Sequence, residues 1–473
     1  MKFLMVATNN ETSPFPVAPL GALTVAAAVR HAGIKLDFLD MSFQKDPART
    51  LRKALKKTKY DVIGFSIRNL DDCSYLNQRS FYDVIKKQVR VVRECSQAPL
   101  ILGGCGFSVH PRGWMQRLLP DCGIIGEGEQ VLVKVLNCLE QKKSLSGIPG
   151  VILTADQIFP DPVWSQHLNK FASPAHELCK YKPHLKRGGF VSIQTRRGCP
   201  CHCIYCVYQR FEGESFRLRD PQLIADEMKS IIDHQGTRCF FFTDSVFNMP
   251  REHALKICRA LIDRKLDLGW MAYVNPVGFD NKLAGLMKEA GCVGLEFGLD
   301  ALNDKMLKSL GKPFGQSEIK QALGAVGKAD IPMAVHLLLG GPGETVADIE
   351  TGQEFLDTCA TPNAVFASIG LRIYDNTELK RIALEEGVID EDTDLFEPTY
   401  YLSALLGENP IAAIDQIVCR RPEWSSPCDW NKPLLKLIQT GINHFGGRPQ
   451  WRNVRNYGKY MRQARTVTEN KTL

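Results

Sequence analysis

Two successive series of apolar runs that alternate with helical patterns constrain the fold of this 473-residue chain most strongly. In the first series, strand-like runs at residues 3–7, 62–66 and 100–102 alternate with helical patterns such as the one at 20–31. Strands that alternate with helices, each run ending in a polar or glycine-rich turn, indicate a parallel sheet covered by helices. We therefore predict an α/β protein in which residues 1–150 form a doubly wound, Rossmann-like domain.

The second series begins near residue 190, after a stretch over residues 151–189 that contains several prolines and is predicted to be a linker. Six strand-helix units are too few for a closed eight-stranded barrel and fit an open, partial (β/α)6 barrel over residues 190–390. Residues 391–473 lose the strand pattern, which predicts a small helical C-terminal region. The six strand candidates lie at 191–195, 239–243, 269–274, 294–298, 333–339 and 364–373.

Composition excludes several other classes of protein. The first residues lack the apolar core of a signal peptide, which predicts a cytoplasmic protein. The 16 cysteines are therefore predicted to be reduced thiols and metal ligands. No run approaches the roughly 18 apolar residues that a transmembrane helix needs. The net charge of +7 is modest and does not require nucleic acid as a partner.

A basic and aromatic mixture near the C-terminus is the one local exception. It could follow phosphates or stack on bases, but a solvated terminal helix explains it more simply, and we do not expect nucleic-acid binding. Its members are Arg448, Trp451, Arg452, Arg455, Tyr457, Lys459, Tyr460, Arg462 and Arg465.

The most specific motif is Arg-Gly-Cys-Pro-Cys-His-Cys-Ile-Tyr-Cys at residues 197–206, called the cysteine loop below. Cys199, Cys203 and Cys206 are spaced Cys-x3-Cys-x2-Cys, and thiolates on one loop can hold one corner of a four-iron four-sulfur cluster while the fourth iron stays open. Four thiolates, with Cys201 included, could instead bind zinc, but structural zinc sites generally use two separated ligand pairs. We predict the cluster, with Cys201 as a bystander or substitute ligand.

The cysteine loop resembles the signature of the radical S-adenosylmethionine (SAM) superfamily, in which the open iron is chelated by the methionyl amine and carboxylate of SAM. In that family a reduced cluster cleaves SAM to a 5'-deoxyadenosyl radical. The resemblance implies that Tyr205 lies by the adenine, that Asp244 helps to fix the methionyl end and that Asp300 contacts the ribose. It also implies SAM contacts at Gly340 and Gly341, in the Leu-Gly-Gly-Pro-Gly-Glu-Thr turn, and at Arg372 in Leu-Arg-Ile-Tyr.

The first domain resembles the cobalamin-binding domain that precedes the radical module in a large subgroup of this superfamily. The matching pieces are Pro-Leu-Gly-Ala-Leu-Thr at 19–24, Asp-Val-Ile-Gly-Phe-Ser at 61–66, Leu-Gly-Gly at 102–104 and Ile-Gly-Glu-Gly-Glu at 125–129. The resemblance implies cobalamin contacts at Gly21, Ser66, Arg68, Asn69, Gly103, Gly104, Gly126, Glu127 and Gly128.

No Asp-x-His-x2-Gly motif follows the first strand, so histidine ligation of cobalt is not expected. Arg68 or Asn69 could face the lower side of the corrin instead. An ordinary loop salt bridge from Arg68 to Asp71 or Asp72 is an equally good interpretation.

These resemblances imply a cobalamin-dependent C-methyltransferase that acts on an unactivated carbon of a natural-product or lipid precursor. The implied cofactors are a 4Fe-4S cluster, SAM and cobalamin. The alternative is a cobalamin-free radical SAM dehydratase or ring-forming enzyme of the same architecture, in which His202, Tyr273 or His336 would supply an acid or base.

The expected partners are a small-molecule substrate and an electron donor such as flavodoxin or ferredoxin. A hydrophobic substrate would suit the apolar side chains of the barrel and C-terminal region, although an ordinary domain core explains them equally well. These side chains are Phe366, Ile369, Phe396, Tyr400 and Tyr401.

Overall fold

The computed structural model describes residues 1–157, 162–425 and 449–454. They form one six-stranded and one seven-stranded sheet, with helices packed against both, and two small two-stranded sheets. This architecture confirms the predicted α/β class, with a Rossmann-like first domain followed by a partial barrel. Among the described residues, no helix is both long and apolar enough to cross a membrane.

The first sheet has the strand order β2-β1-β3-β4-β5-β6, with β1 to β5 parallel and β6 antiparallel to β5. The direction of winding reverses between β1 and β3, and ligands of such sheets bind beyond the carboxyl ends of the strands at this reversal. The elements are β1 Lys2–Ala7, α1 Leu20–His31, β2 Lys35–Asp40, α2 Pro47–Lys57, β3 Val62–Ser66, α3 Tyr82–Cys95, β4 Leu100–Gly103, α4 Cys105–Val109, α5 Pro111–Leu118, β5 Cys122–Ile124, α6 Gly128–Glu140 and β6 Val151–Ile152.

Burial follows the sequence pattern in this domain. The inner strand β1 is buried on both faces from Phe3 to Ala7, as expected for a parallel strand between two helical layers. Helix α3 buries Ile85, Val89 and Val92 at i, i+4 and i+7, which is the apolar stripe of an amphipathic helix.

The second sheet is parallel throughout and has the order β17-β14-β13-β12-β11-β10-β7. After the short linker helix α7 Lys182–Leu185, the elements of this part of the chain are β7 Val191–Ile193, β8 Arg196–Arg197, α8 Tyr208–Glu212, β9 Arg217–Leu218, α9 Pro221–Gln235, β10 Cys239–Phe242, α10 Arg251–Asp263, β11 Gly269–Val274, α11 Asn281–Glu289, β12 Cys292–Asp300, α12 Asp304–Ser309, α13 Gln316–Lys328, β13 Met333–Leu339, α14 Val346–Asp357, β14 Ala364–Ile369, β15 Leu371–Arg372, α15 Glu378–Glu385, β16 Tyr400–Tyr401, α16 Pro410–Val418 and β17 Trp424–Ser425. Strands β8 and β9 pair with each other outside the seven-stranded sheet, as do β15 and β16.

The six predicted barrel strands are all present, but the last one is shorter than predicted. Strand β14 ends at Ile369 because Gly370 turns the chain with a φ of +74°, in a space limited by the Tyr75 ring. The chain then forms β15, which pairs with β16. Residues beyond 390 therefore contribute two short strands, β16 and β17, that the pattern did not predict.

A small apolar cluster packs against strands of the barrel, separate from the main core. Trp451 comes from the C-terminal segment and packs there with Phe190, Phe241 and Met271. Trp451 is therefore part of the core and not an exposed aromatic residue. The remaining members of the basic and aromatic mixture, apart from Arg452, lie outside the described residues.

A buried ion pair joins the two domains. The Asp71 carboxylate, in the loop after β3, accepts a hydrogen bond of 2.8 Å from Nε of Arg372 on β15, and both side chains are almost fully buried. Other N–H groups of Arg372 donate to the carbonyls of Ile373 and Leu395. The pair fixes the loop after β3 against the barrel.

We expect Asp71→Ala to destabilise the protein strongly, because it leaves the Arg372 guanidinium buried without its anion. Removing one partner of a buried ion pair costs about 3–5 kcal/mol, which should lower the urea midpoint measured by circular dichroism. The matched control is Glu385→Ala, which breaks the exposed pair with Arg381 and should leave the midpoint unchanged. Equal midpoints for the two variants would contradict the structural role of Asp71.

Candidate cofactor site between the two domains

The cysteine loop is held in place by its own side of the barrel. The backbone amide of Cys199 donates to the carbonyl of Gly213 at 3.0 Å. The side-chain amide of Gln209 donates to the carbonyls of Cys199 at 3.1 Å and Cys201 at 2.8 Å. These bonds close the loop onto helix α8, so the thiols are positioned before any metal binds.

The far side of the loop is held by two other elements. The amide of Ile204 donates to the carbonyl of Leu310 at 3.2 Å, and the amide of Leu379 donates to the carbonyl of Ile204 at 2.9 Å. Gly311 has a φ of +70°, and a Cβ there would lie 2.5 Å from the carbonyl oxygen of His202. Only glycine allows this close approach between the end of α12 and the cysteine loop.

The thiols of the loop have different surroundings. A hydrogen bond with the Cys201 thiol, together with the charge of Arg196, lowers the pKa of Cys199 to about 5. Burial raises the pKa of Cys203, and it raises that of Cys206 to about 12. Cys199 is therefore a thiolate near neutral pH, whereas a bound metal is needed to ionise Cys206.

Tyr205 and Asp300 meet beside the cysteines. The Tyr205 hydroxyl donates a hydrogen bond to the Asp300 carboxylate, and Lys312 forms an ion pair with the same carboxylate. Nζ of Lys312 also lies 3.1 Å from the Tyr205 hydroxyl. Burial lowers the pKa of Lys312, but the Asp300 carboxylate outweighs this and raises it, so Lys312 is a cation. Sequence reasoning missed Lys312, since it stands in no recognisable motif.

Asp244 supports the start of the cysteine loop. Its carboxylate accepts hydrogen bonds from the amide and hydroxyl of Thr195, at 2.8 and 2.6 Å, and from the amide of Arg196 at 3.2 Å. Asp244 is buried, and burial raises its pKa. In this structure it orients the chain that enters the loop, and its contact with SAM stays a prediction.

The glycine-rich turn is also closed by a carboxylate. The amides of Gly340 and Gly341 both donate to one oxygen of Glu344, and burial raises the pKa of Glu344 to about 7. Arg372 is committed to Asp71 as described above. The predicted SAM contacts at Gly340, Gly341 and Arg372 stay untested, and the structure gives all three a defined structural role.

A cleft lies between the first domain and the cysteine loop, and all nine residues predicted to contact cobalamin line it. The first domain provides them from the ends of β3 and β4, the start of α1 and the turn before α6. They are Gly21, Ser66, Arg68, Asn69, Gly103, Gly104, Gly126, Glu127 and Gly128. Gly104 has a φ of +97°, and a Cβ there would lie 2.5 Å from the Ile67 carbonyl oxygen. Glycine is thus required for this wall of the cleft.

The opposite wall of the cleft comes from the barrel. Tyr208 and Glu212, at the two ends of helix α8, line it together with Arg197. Tyr208 is 45% exposed and faces the cleft. Burial raises the pKa of Glu212 to about 7. Because α8 begins two residues after Cys206, the cysteine loop and the cleft share this wall.

Arg68 does not form the loop salt bridge considered from the sequence. Asp71 pairs with Arg372, and Arg68 has no carboxylate partner among the described residues. Arg68 lines the cleft, where the surrounding protein lowers its pKa through desolvation. It is therefore available to a ligand in the cleft.

Four buried charges connect the two walls of the cleft. Arg197 of the cysteine loop pairs with Glu127 at 3.2 Å and with Glu129 at 2.5 Å. Arg217 on β9 pairs with Glu127 at 2.5 Å. All four side chains are at most 12% exposed. Glu127 therefore joins the first domain to the barrel and also lines the cleft.

The barrel interior contains a polar pair above the apolar cluster. Nε2 of His336 on β13 lies 2.8 Å from Oε2 of Glu296 on β12, and the indole of Trp451 donates to Oε1 at 2.9 Å. His336 stacks on Phe366, and Tyr273 makes an edge contact with it at 6.0 Å. His202, by contrast, is exposed on the cysteine loop.

The residues present fit the groups that the sequence resemblance implies. Three cysteines on a preformed loop, two of them desolvated thiols, form a donor set for a metal cluster. The cleft presents glycine backbone and an unpaired Arg68 on one wall, which suits a large ligand approached closely by main chain.

Comparison with known proteins agrees with this geometry. A family model described as "Radical SAM superfamily" matches residues 193–356, and one described as "B12 binding domain" matches residues 7–136. Tryptophan 2-C-methyltransferase of Streptomyces laurentii is 26% identical over 445 residues, covering 80% of this chain and 74% of the relative. Hopanoid C-3 methylase of Methylococcus capsulatus is 26% identical over 336 residues, covering 68% and 60%.

Solved structures share the fold over nearly the whole chain. The radical SAM methyltransferase TsrM of Kitasatospora setae, with cobalamin and a [4Fe-4S] cluster bound, has a TM-score of 0.82 at 22% identity and covers 98% of this chain and 99% of its own. The cobalamin-dependent radical enzyme OxsB has a TM-score of 0.72 at 14% identity and covers 94% and 71%. The cofactors are a 4Fe-4S cluster, SAM and cobalamin. The chain belongs to the radical SAM superfamily, in the subgroup that carries an N-terminal cobalamin-binding domain.

Proposed function

We propose that this protein is a cobalamin-dependent radical SAM methyltransferase that transfers a methyl group to carbon. The observation that carries the proposal is the shared wall formed by Arg197 and helix α8, which lines the cleft of the first domain and adjoins the cysteine loop. When bound, the cofactors supply one-electron cleavage of SAM and a cobalt centre that can carry a methyl group. Relatives named as C-methyltransferases support the same conclusion.

The residues of the chain bind and orient these groups. Cys199, Cys203 and Cys206 would hold the cluster. Tyr205 is fixed by Asp300 and Lys312, so its ring cannot turn freely, which suits an aromatic side chain that positions a nucleoside base.

Arg68 is the residue we assign to the lower face of the corrin. Its guanidinium projects from the loop after β3, has no carboxylate partner among the described residues and lines the cleft. A cation in this position cannot donate a lone pair to cobalt. It would contact the bound cobalamin and exclude water there without supplying a ligand to the cobalt.

The substrate is proposed to enter the barrel interior above the Trp451 cluster. Phe366, Tyr273 and His336 form an aromatic lining there, and Glu296 accepts from both His336 and Trp451. An aromatic or otherwise flat hydrophobic precursor fits such a lining. With Glu296 holding Nε2–H, Nδ1 of His336 would be the atom that takes a proton where the reaction releases one.

An electron donor such as flavodoxin or ferredoxin and a cytoplasmic location remain predictions. The reduced cluster requires a one-electron donor, and acidic carriers of that kind suit a chain with a net charge of +7.

We expect single Cys199→Ala, Cys203→Ala and Cys206→Ala substitutions to abolish cluster binding, because each removes one of three ligands. Iron and sulfide content after anaerobic reconstitution measures this directly. Cys201→Ala is the matched control, as it removes a thiol from the same loop, and it should retain the iron of the wild type. Iron loss in Cys201→Ala, or zinc in place of iron in the wild type, would contradict the assignment.

We expect Gly21→Leu to weaken cobalamin binding without disturbing the fold. Gly21 lines the cleft, and a Cβ there meets no protein atom within 4 Å, so the new side chain starts in open cleft space. Hydroxocobalamin affinity, measured by equilibrium dialysis, should fall by at least about tenfold, or ~1.4 kcal/mol.

The control for this experiment is Gly285→Leu, an exposed glycine of helix α11 that also has open space at its Cβ. It should bind hydroxocobalamin like the wild type, and both variants should keep their iron. Unchanged affinity in Gly21→Leu would place the corrin elsewhere.

A further inference from the structure

A second group of metal-ligand side chains lies far along the chain from the cysteine loop. Asp40, Cys179 and His184 each offer one ligand atom, and these atoms all lie within 4.8 Å of one another. Sγ of Cys179 is 3.9 Å from Oδ2 of Asp40. Asp40 ends strand β2 of the first sheet, whereas Cys179 and His184 belong to the linker between the two domains.

His184 is the residue that points to a ligand. Its side chain is fully buried, yet Nε2 has no hydrogen-bond partner among the described residues. A buried polar atom without a partner is costly and needs an explanation. Nδ1 lies 3.2 Å from the carbonyl oxygen of Lys180, which can only accept, so the ring proton is on Nδ1. Nε2 is therefore the bare nitrogen, as in histidines that bind metals while the other ring nitrogen donates to a carbonyl.

The other two ligands are equally prepared. Oδ1 of Asp40 accepts hydrogen bonds from the amide of Ser42 at 2.9 Å and from its hydroxyl at 2.6 Å. These bonds orient the carboxylate and leave Oδ2 directed to the Cys179 thiol, which is 2% exposed. The rings of Phe43 and Tyr181 pack against His184 and hold the imidazole in place.

We propose that Asp40, Cys179 and His184 bind one zinc ion that joins the linker to the edge of the first sheet. One thiolate, one imidazole and one carboxylate form a mixed set that zinc accepts in tetrahedral sites, with a water molecule as fourth ligand. Binding releases the thiol proton of Cys179 to solvent, and the thiolate and carboxylate together neutralise the dication. The Cys-x4-His spacing lets one short turn supply two ligands.

The position of the site gives it a structural purpose. The linker segment that carries Cys179 is already bonded to the barrel, because Gln235 of α9 donates to the His176 carbonyl at 2.8 Å and His176 contacts Glu227 at 2.9 Å. A zinc ion would add a bond from this segment to β2. The two domains would then be fixed at the linker as well as at Asp71 and Arg372, which sets the width of the cleft between them.

Metal analysis of the full-length protein tests the proposal. After anaerobic purification from zinc-supplemented medium and dialysis against a weak chelator, we expect about one zinc per chain beside the cluster iron. Cys179→Ser and His184→Gln should lose this zinc and keep the iron. Cys122→Ser, which changes another buried thiol of the first domain, is the matched control and should keep both metals.

Two further measurements protect the test against misfolding and against zinc in the cluster site. Asp40→Asn retains the size of the side chain and should weaken zinc binding at least about tenfold in competition with a chromophoric chelator. X-ray absorption at the zinc edge should find one sulfur neighbour, whereas zinc held by the cysteine loop would have three or four. Zinc content in Cys179→Ser equal to that of the wild type, or a wild type without zinc, would overturn the proposal. Neither result bears on the methyltransferase assignment, which depends on iron and cobalamin.

Discussion

The buried ion pairs between Glu127 and Glu129 of the first domain and Arg197 and Arg217 of the second are the interaction on which the site depends. Arg197 stands two residues before Cys199, and Glu127 opens the turn into helix α6. These contacts therefore set the distance between the cluster ligands and the cobalamin cleft. Charges removed from water in this way add little net stability, but they define one arrangement because any other leaves a charge unpaired.

The same constraint explains why several family-typical residues have structural partners. Asp244 is saturated by Thr195 and Arg196, so the strand end that precedes the cysteine loop is rigid. Glu344 saturates the amides of the glycine-rich turn. A site that must keep two large cofactors at a fixed separation needs such rigid support, since a displacement of about 1 Å is enough to impair catalysis.

Local patterns predicted the fold and the nine residues that line the cleft, because strand and helix periodicity and the glycine turns are encoded within short segments. Contacts between distant segments could not be predicted in this way. Lys312 meets Tyr205 across 107 positions of sequence, and Arg372 meets Asp71 across 301. The pairing of Asp40 with Cys179 likewise depends on how the linker returns to the edge of the first sheet. A single sequence carries no signal for such long-range contacts. The cleft glycines, by contrast, could be recognised from the order of their motifs along the chain.

Under the proposed function, selectivity for the substrate comes from the side chains of the barrel interior, because the cysteine loop and the cleft are assigned to the cofactors. Glu296 has both carboxylate oxygens occupied, by His336 and by Trp451. Its charge therefore holds His336 in one orientation and cannot itself serve a ligand. Nδ1 of His336 is left as the polar atom of an otherwise aromatic lining, with no partner among the described residues. A substrate that stacks on these rings would gain affinity from the apolar area that it buries. One that also donates a hydrogen bond to Nδ1 would be held in a single orientation.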